Sequence, residues 1–298
     1  MTTSPFASDA LAGKRVLITG GGTGLGRGVA RHLVDHGAEV HLWGRRPAVL
    51  EEAAAEASVS RPGSVHWQTV DVRNADLVSS AMDEIWTLHG PLTGVINNAA
   101  ANFIAPTESL SPRAFEAVTS TVMNGSFNTT HAAGRRWIEG GTKGVVLSTL
   151  TTWVWSGSAF VVPSAMAKAA VHSMTMSLAV EWARYGIRLN ALAPGPIPTD
   201  YAWEMLNPTE KSAVGATQAD QVPMGRMGTM EELANLTIFL LSDACDYLTG
   251  QTIAMDGGQM LAGPGTFAGL TSMTNEDWVT AREKSKAASD AAKAQRGV

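Results

Sequence analysis

A regular alternation of short β-branched runs with longer helical stretches is the feature that most constrains how this chain can fold. Strands that are joined by helices pair in parallel, so the alternation predicts a doubly wound α/β fold. We expect one sheet of about seven strands with helices on both faces. The predicted strands span residues 14–19, 39–43, 64–70, 93–96, 144–148, 187–193 and 251–255, and the predicted helices span residues 25–36, 47–57, 75–89, 113–139, 164–185 and 231–241.

The domain organisation follows from the length of 298 residues, which suits one large α/β domain. We therefore predict that residues 1–298 form a single domain. Two segments depart from the alternation. Residues 194–228 are rich in Pro, Gly and Met and are predicted to be a mobile lid, and the Ala- and Lys-rich residues 281–298 are predicted to be a solvated tail. In the helix over 113–139, interruptions are expected at Gly125 and Gly134.

Charge and cysteine content narrow the class of partner. The formal net charge of −5 argues against nucleic acid. Cys245 is the only cysteine, so a disulfide within the chain is excluded and a reducing compartment fits. No apolar run reaches membrane-spanning length, and residues 1–10 lack the basic and apolar regions of a secretory signal. We expect a cytoplasmic protein that acts on a small molecule.

A glycine-rich loop follows the first predicted strand and opens the first predicted helix. Glycines allow a tight turn there and let the backbone approach a pyrophosphate, whose charge the helix N-terminus stabilises. This context makes the loop a candidate dinucleotide site rather than a plain turn. The candidate residues are Gly20, Gly22, Thr23, Gly24, Leu25 and Gly26.

The end of the second strand bears on the choice between NAD and NADP. An acidic residue at this place binds the ribose hydroxyls of NAD, whereas an arginine accommodates the 2′-phosphate of NADP. No Asp or Glu occurs within residues 40–50, but Arg45 and Arg46 follow the strand directly. We predict that Arg45 binds the phosphate, with Arg46 in reserve, and that the cofactor is NADP(H). The alternative is that both are solvated turn residues.

Three more motifs complete a family pattern: Asp71-Val72, Asn97-Asn98-Ala99-Ala100 and Pro194-Gly195-Pro196-Ile197. With the glycine loop they resemble the short-chain dehydrogenase/reductase family over about residues 12–258, which implies a Rossmann-type fold and an oxidoreductase. The resemblance implies that Asp71 and Val72 hold the adenine and that Asn98 lies beside the cofactor. It also implies that the nicotinamide is covered by Pro194, Gly195, Pro196, Ile197 and Thr199.

A narrower resemblance, to the mitochondrial-type 2,4-dienoyl-CoA reductases, rests on residues 102–108, 160–165 and 194–197. Those enzymes reduce a conjugated dienoyl thioester with NADPH. The resemblance implies that Asn102 hydrogen-bonds the thioester carbonyl. Phe103 and Ser111 would line the acyl channel, and Arg73 would lie near its mouth. It further implies a homotetramer.

The chain departs from the family at the catalytic tyrosine. Most members carry Tyr-x-x-x-Lys, but here Ser164 stands four residues before Lys168. The dienoyl-CoA reductases take their tyrosine from fifteen residues before the lysine, and that position here is Trp153. An indole N–H donates a hydrogen bond but is no practical acid. Lys168, Ser164, Asn102 and Trp153 are the candidate catalytic residues, although Trp153 could equally fill an apolar wall.

The missing tyrosine favours one kind of reduction. Reducing a ketone creates an alkoxide that demands a proton, whereas reducing a conjugated C=C bond creates an enolate that hydrogen bonds can stabilise. We therefore predict an acyl-thioester C=C reductase. Two alternative functions stay open: a carbonyl or imine reductase, and a catalytically silent NADP-binding protein. Tyr201 is a candidate substrate contact or hidden acid, and no metal ion is expected among the site residues.

Overall fold

The computed structural model describes residues 4–102, 104–199, 219, 222–263, 270 and 272–284. Seven strands form one sheet in the order β3-β2-β1-β4-β5-β6-β7, and all neighbouring strands are parallel. The predicted doubly wound sheet is confirmed. The strands are β1 (Arg15–Thr19), β2 (Glu39–Gly44), β3 (Val65–Thr69), β4 (Gly94–Asn97), β5 (Gly144–Thr149), β6 (Ile187–Pro194) and β7 (Thr252–Met255).

Helices connect the strands in the predicted places. They are α1 (Gly24–Asp35), α2 (Pro47–Ala57), α3 (Ala75–Leu88), α4 (Pro112–Thr119), α5 (Gly125–Gly140), α6 (Trp153–Ser156), α7 (Val162–Trp182), α8 (Met230–Leu241) and α9 (Gln259–Ala262). The one-turn helix α6 and the short α9 were not predicted, and residues 275–284 are also helical. Among the described residues, no helix combines the length and the hydropathy needed to cross a membrane.

Alternate residues of the central strands point to opposite faces of the sheet and enter two separate cores. Ile18 and Leu42 belong to the core that α1, α2 and α8 cover. Leu17 and Trp43 belong to the core that α3, α5 and α7 cover. All four side chains are buried. Because helices cover both faces, the ends of the strands are the accessible parts of the sheet.

The prediction for residues 113–139 was wrong about where the helix is irregular. Ser120–Asn124 form a π-helical turn between α4 and α5, whereas Gly125 and Gly134 lie within α5. A Cβ on Gly125 would lie 2.5 Å from Cγ2 of Val72, and one on Gly134 would overlap the Trp182 ring. The glycines are thus required by close packing against the rest of the fold rather than by a break in the helix.

A second indole packs on a glycine in the same core. Trp137 of α5 covers Gly144, the first residue of β5, so closely that a Cβ there would overlap the ring. The Trp137 indole donates a 2.7 Å hydrogen bond to the Leu92 carbonyl. These contacts fix α5 against β5 and α7.

The strand order determines where a ligand can bind. The chain moves outward from β1 to β2 and β3, and then returns to place β4 on the other side of β1. The connections after β1 and β4 therefore run in opposite directions and leave a crevice at the carboxyl ends of these strands.

Candidate cofactor and substrate cleft

A cleft of about 640 Å³ lies at the carboxyl ends of β1, β2 and β4. Its volume is within the range of small-molecule sites. The cleft, called the glycine-loop cleft below, brings together segments that the sequence analysis selected separately. Its lining consists of Gly20, Gly22, Thr23, Trp43, Gly44, Arg45, Arg46, Val49, Leu50, Val70, Asp71, Val72, Ala99, Ala100, Ala101, Asn102, Thr121 and Trp153.

The glycine loop forms one wall of the cleft. Gly20 has φ of 66°, and a Cβ there would lie 2.9 Å from Cα of Ala99, so both conformation and space require glycine. Thr23 is the N-cap residue of α1, and its side chain caps no backbone N–H. The first turn of α1 therefore offers N–H groups to an anion. Leu25 instead packs its side chain into the core beneath α1.

Asn98 lies behind the loop rather than in the cleft lining. Its Nδ2 donates to the carbonyls of Thr19 (3.1 Å) and Gly20 (3.3 Å). A Cβ on Gly26 would lie 2.6 Å from the same Nδ2. The Asn98 and Ala99 backbone N–H groups each donate to Oγ1 of Thr19 at 3.0 Å. Asn98 thus ties β4 to the glycine turn and sets its shape.

Charged groups occupy the end of the cleft next to β2 and β3. Arg45 and Arg46 line it together with Asp71. The Arg73 guanidinium pairs with the Asp71 carboxylate, with Nε 2.9 Å from Oδ1. Arg73, and to a smaller extent the charge of Arg45, hold the pKa of Asp71 below its usual range. Asp71 is therefore an anion at neutral pH, and the positive charge of Arg45 is close enough to contribute to the lowered pKa of Asp71.

Asn102 and Trp153 both line the glycine-loop cleft. Asn102 follows β4, and Trp153 is the first residue of α6, which packs against α7. Both are half-buried. An amide N–H and an indole N–H are groups that can donate hydrogen bonds to an oxyanion.

Lys168 and Ser164 lie one turn apart on α7 and are buried, and neither is among the residues that line the glycine-loop cleft. The Lys168 ammonium donates a short hydrogen bond to the carbonyl of Thr149, the last residue of β5. Burial lowers the pKa of Lys168 to about 8. The described residues provide no carboxylate partner for it, so the ammonium is held by a neutral carbonyl in a desolvated place.

The loop before α7 is strained at one residue. Phe160 has φ of 64°, in the left-handed region that bulky side chains avoid. Its carbonyl accepts a 2.9 Å hydrogen bond from the Ala105 backbone N–H. Two of the three segments behind the narrower resemblance, residues 102–108 and 160–165, are therefore joined by a hydrogen bond.

The chain after β6 turns back towards the glycine loop. Gly195 donates its N–H to Met255 of β7 at 3.0 Å, and the Pro196 carbonyl accepts from Gly228 at 3.0 Å. Ile197 is buried in the core. A Cβ on Gly24 would lie 3.9 Å from Oγ1 of Thr199. The segment Pro194 to Thr199 thus approaches the loop that it is expected to face.

Of the four expected substrate contacts, Arg73 and Ser111 lie outside the cleft lining, and the other two lie outside the described residues. Arg73 lines a separate concavity with Met123, Phe127 and Met174. Ser111 is the N-cap of α4, where its Oγ accepts from the Ala114 N–H at 3.1 Å, and it is absent from the cleft lining. Phe103 and Tyr201, with most of the expected lid, lie outside the described residues, as do residues 285–298 of the expected tail.

Nine of the residues that line the cleft were not among the predicted site residues, and Trp43 and Thr121 are two of them. Trp43 is fully buried, lines the cleft and donates a 2.7 Å hydrogen bond to Gln68. Its position two residues before Arg45 was the available signal. Thr121 reaches the cleft from the π-helical turn. No sequence pattern predicts the π-helical turn, so Thr121 could not have been selected from the sequence.

Comparisons with known proteins show which family the chain resembles over most of its length. A family model described as Enoyl-(Acyl carrier protein) reductase matches residues 20–260. The chain is 44% identical over 249 residues to a Bacillus subtilis (strain 168) protein named "Probable 2,4-dienoyl-CoA reductase", described as producing a (2E)-enoyl-CoA. The match covers 83% of this chain and 97% of that protein.

Solved structures give the same result. A short-chain dehydrogenase from Bacillus anthracis is 41% identical with a TM-score of 0.75, covering 85% of this chain and 98% of that one. A gluconate 5-dehydrogenase from Burkholderia cenocepacia, solved with NADP and tartrate, is 31% identical with a TM-score of 0.76. That match covers 85% of this chain and 98% of the other.

Proposed function

Because the chain belongs to the short-chain dehydrogenase/reductase family of oxidoreductases, we propose that it is an NADPH-dependent reductase of unsaturated acyl thioesters. The reaction adds hydride to a C=C bond conjugated with the thioester carbonyl. The observation that carries this proposal is the makeup of the glycine-loop cleft: Asn102 and Trp153 both line it, and the described lining contains no tyrosine.

Binding of NADP(H) is supported by the shape and charge of the cleft. Close packing at Gly20 and the uncapped first turn of α1 suit a pyrophosphate. Arg45, with no carboxylate in its own loop, suits a 2′-phosphate, and the Burkholderia relative was solved with NADP. When bound, the cofactor supplies a hydride; everything else in the reaction falls to the protein.

The side chains of the cleft suit an oxyanion that needs hydrogen bonds. Hydride addition to the conjugated system moves an electron pair to the thioester oxygen. Asn102 donates an amide N–H to that oxygen, and Trp153 adds shape and at most one more hydrogen bond. The later proton goes to carbon and comes from water. A ketone would instead require an acid at oxygen, and the described lining offers none.

Lys168 serves as the positioning cation. Its ammonium, anchored on the Thr149 carbonyl, would hold the nicotinamide ribose, while Ser164 lies one turn away. A pKa near 8 still leaves Lys168 mostly protonated at neutral pH. The positive charge is therefore available to hold the ribose hydroxyls.

The acyl-CoA assignment rests on the Bacillus subtilis relative and on the residues that match it. The deciding experiment follows oxidation of NADPH by the purified full chain with a 2,4-dienoyl-CoA, a 2-enoyl-CoA and a hydrophobic ketone. We expect sustained turnover with the dienoyl-CoA, with NADPH preferred over NADH. Product analysis by mass spectrometry must show a gain of two hydrogens without loss of the thioester.

Two outcomes would contradict the proposal. Ketone reduction without dienoyl-CoA reduction would assign the protein to carbonyl chemistry, and Tyr201→Phe would then test for the missing acid. NADPH binding without turnover of any of the three substrates would indicate a silent cofactor-binding protein.

We also propose a homo-oligomer, with a tetramer as the expected state. α5 carries the exposed Phe127, and α7 carries the exposed Met176 and Val180. Large apolar side chains on neighbouring helices are typical of an interface between copies. Sedimentation should give about four times the chain mass of 31.3 kDa, and a monomer at micromolar concentration would contradict it.

A further inference from the structure

Three histidines cluster at the amino ends of β2 and β3, the edge of the sheet opposite to the glycine-loop cleft. His41 and His66 are register partners on these strands, and His89 directly follows α3. The ring centroids lie 5.0 Å apart for His41 and His66, 4.8 Å for His41 and His89, and 4.0 Å for His66 and His89. None of the three takes part in the proposed reaction.

One carboxylate oxygen faces all three rings. Oε1 of Glu39 lies 3.1 Å from Nε2 of His41, 3.5 Å from Nδ1 of His89 and 3.7 Å from Nε2 of His66. One ligand atom each from Glu39, His41 and His89 can be chosen so that all lie within 4.8 Å of one another. Tetrahedral ligands of a metal with bonds of about 2.0–2.1 Å lie roughly 3.3–3.5 Å apart, so small side-chain rotations would close the site.

The surroundings resemble those of metal sites in two further ways. Arg15 holds the carboxylate of Glu39 in place, with Nε 2.9 Å from Oε1 and Nη2 3.0 Å from Oε2, as outer-shell partners of a ligating carboxylate do. His66 and His89 border a concavity of about 320 Å³ that is open to solvent and gives an ion a path of entry.

We infer that Glu39, His41 and His89 form a binding site for one divalent transition-metal ion of the zinc class, with His66, whose Nε2 lies 3.7 Å from Oε1 of Glu39, as the candidate fourth ligand. Three nitrogens and one oxygen suit Zn²⁺ or Co²⁺ and are a poor set for Ca²⁺ or Mg²⁺, which take oxygen ligands. The ion would join β2 to the end of α3 and stabilise this edge of the sheet.

The test titrates Co²⁺ into the full chain, freed of any histidine tag and of metal, at neutral pH. We expect one equivalent to bind with the visible bands of a four-coordinate nitrogen-oxygen site, and Zn²⁺ to displace it. Excess Mg²⁺ or Ca²⁺ should not compete. Zn²⁺ should also raise the melting temperature of the wild type.

Three variants make the test specific. His89→Ala should weaken Co²⁺ binding at least tenfold and remove the Zn²⁺ shift in melting temperature, and His66→Ala should have a smaller effect on both. The matched control is His131→Ala, an exposed histidine on α5, which should bind like the wild type. Circular dichroism checks that each variant is folded. If His66→Ala is not folded, His66→Gln supplies a milder change.

The inference is overturned if less than half an equivalent binds, or if His89→Ala and His131→Ala bind Co²⁺ alike. Bands of a six-coordinate aqua ion would overturn it too. These overturning results are expected if Glu39 and the three histidines form only a hydrogen-bonded network and bind no metal ion.

Discussion

The two ends of β2 differ in how their side chains are brought together. At the carboxyl end, Arg45 and the glycine loop reach the cleft because each follows its own strand directly. At the amino end, His41 meets His66 through strand pairing and His89 through the packing of α3. The first arrangement is a general property of open parallel sheets, whereas the second depends on which residues this chain places in register.

If the two proposals hold, the two ends serve different purposes, one in hydride transfer and the other in binding a metal ion. A hydrogen bond joins Trp43, which lines the cleft, to Gln68, which lines the concavity beside the histidines, but neither residue is a proposed catalytic group or metal ligand. Variants of the proposed catalytic and cofactor-binding residues at the carboxyl end should change catalysis or cofactor affinity and leave the Co²⁺ titration as in the wild type.

The largest effect on turnover is expected for the substitution Lys168→Met. Without the ammonium the nicotinamide ribose loses its positioning contact, and turnover should fall by about 10²-fold or more. Steady-state kinetics with NADPH and the dienoyl-CoA measure it. A kcat within tenfold of the wild type would remove Lys168 from the mechanism, and a changed Co²⁺ affinity would show that the two ends are coupled.

The same residue should produce a pH dependence of stability in the cofactor-free protein. Its pKa is about 8 when folded against 10.5 when exposed, so the unfolded chain binds more protons between these values. The free energy of unfolding should therefore rise by about 3 kcal/mol from this group as the pH increases from 8 to 10.5. Chemical denaturation of wild type and Lys168→Met across this range isolates the contribution. Parallel curves for the two proteins would contradict it.

Arg45→Ala should have a selective effect on the cofactor. Losing one charge-assisted contact to the 2′-phosphate costs about 1.5–3 kcal/mol, so NADPH affinity should fall about 10- to 150-fold. NADH affinity should stay within about twofold, because NADH has no phosphate there. The control is Arg135→Ala, which removes an exposed arginine on α5 that pairs with Glu139. Equal losses for both cofactors would refute the assignment.

The smallest effect is expected for Trp153→Phe. The change keeps the apolar bulk and removes only the indole N–H, so kcat should fall less than about tenfold. A loss beyond that would make the indole N–H the main donor to the oxyanion. Trp153→Tyr sharpens the result: a rise in dienoyl-CoA reduction would mean that a tyrosine acid still works at this position.

The comparison of the two ends of β2 also explains how much of the fold and of the candidate site could be predicted from the sequence. The parallel sheet and the glycine turn after β1 were predictable because period and glycine position are local signals. The left-handed Phe160 and the π-helical Ser120–Asn124 were not, since tertiary contacts impose them. The histidine cluster was missed for a similar reason: its members lie in separate elements and meet only through pairing register and helix packing.

The packing of tryptophan on glycine has a consequence for how such a chain can diverge. A methyl group at Gly134 or Gly144 would occupy space that the rings of Trp182 and Trp137 already fill. Either glycine can therefore be replaced only together with its tryptophan partner, and each single substitution along that route passes through an overpacked or hollow core. Among related sequences these positions should vary as two linked pairs, and a mismatched pair would mark a helix that has shifted on the sheet.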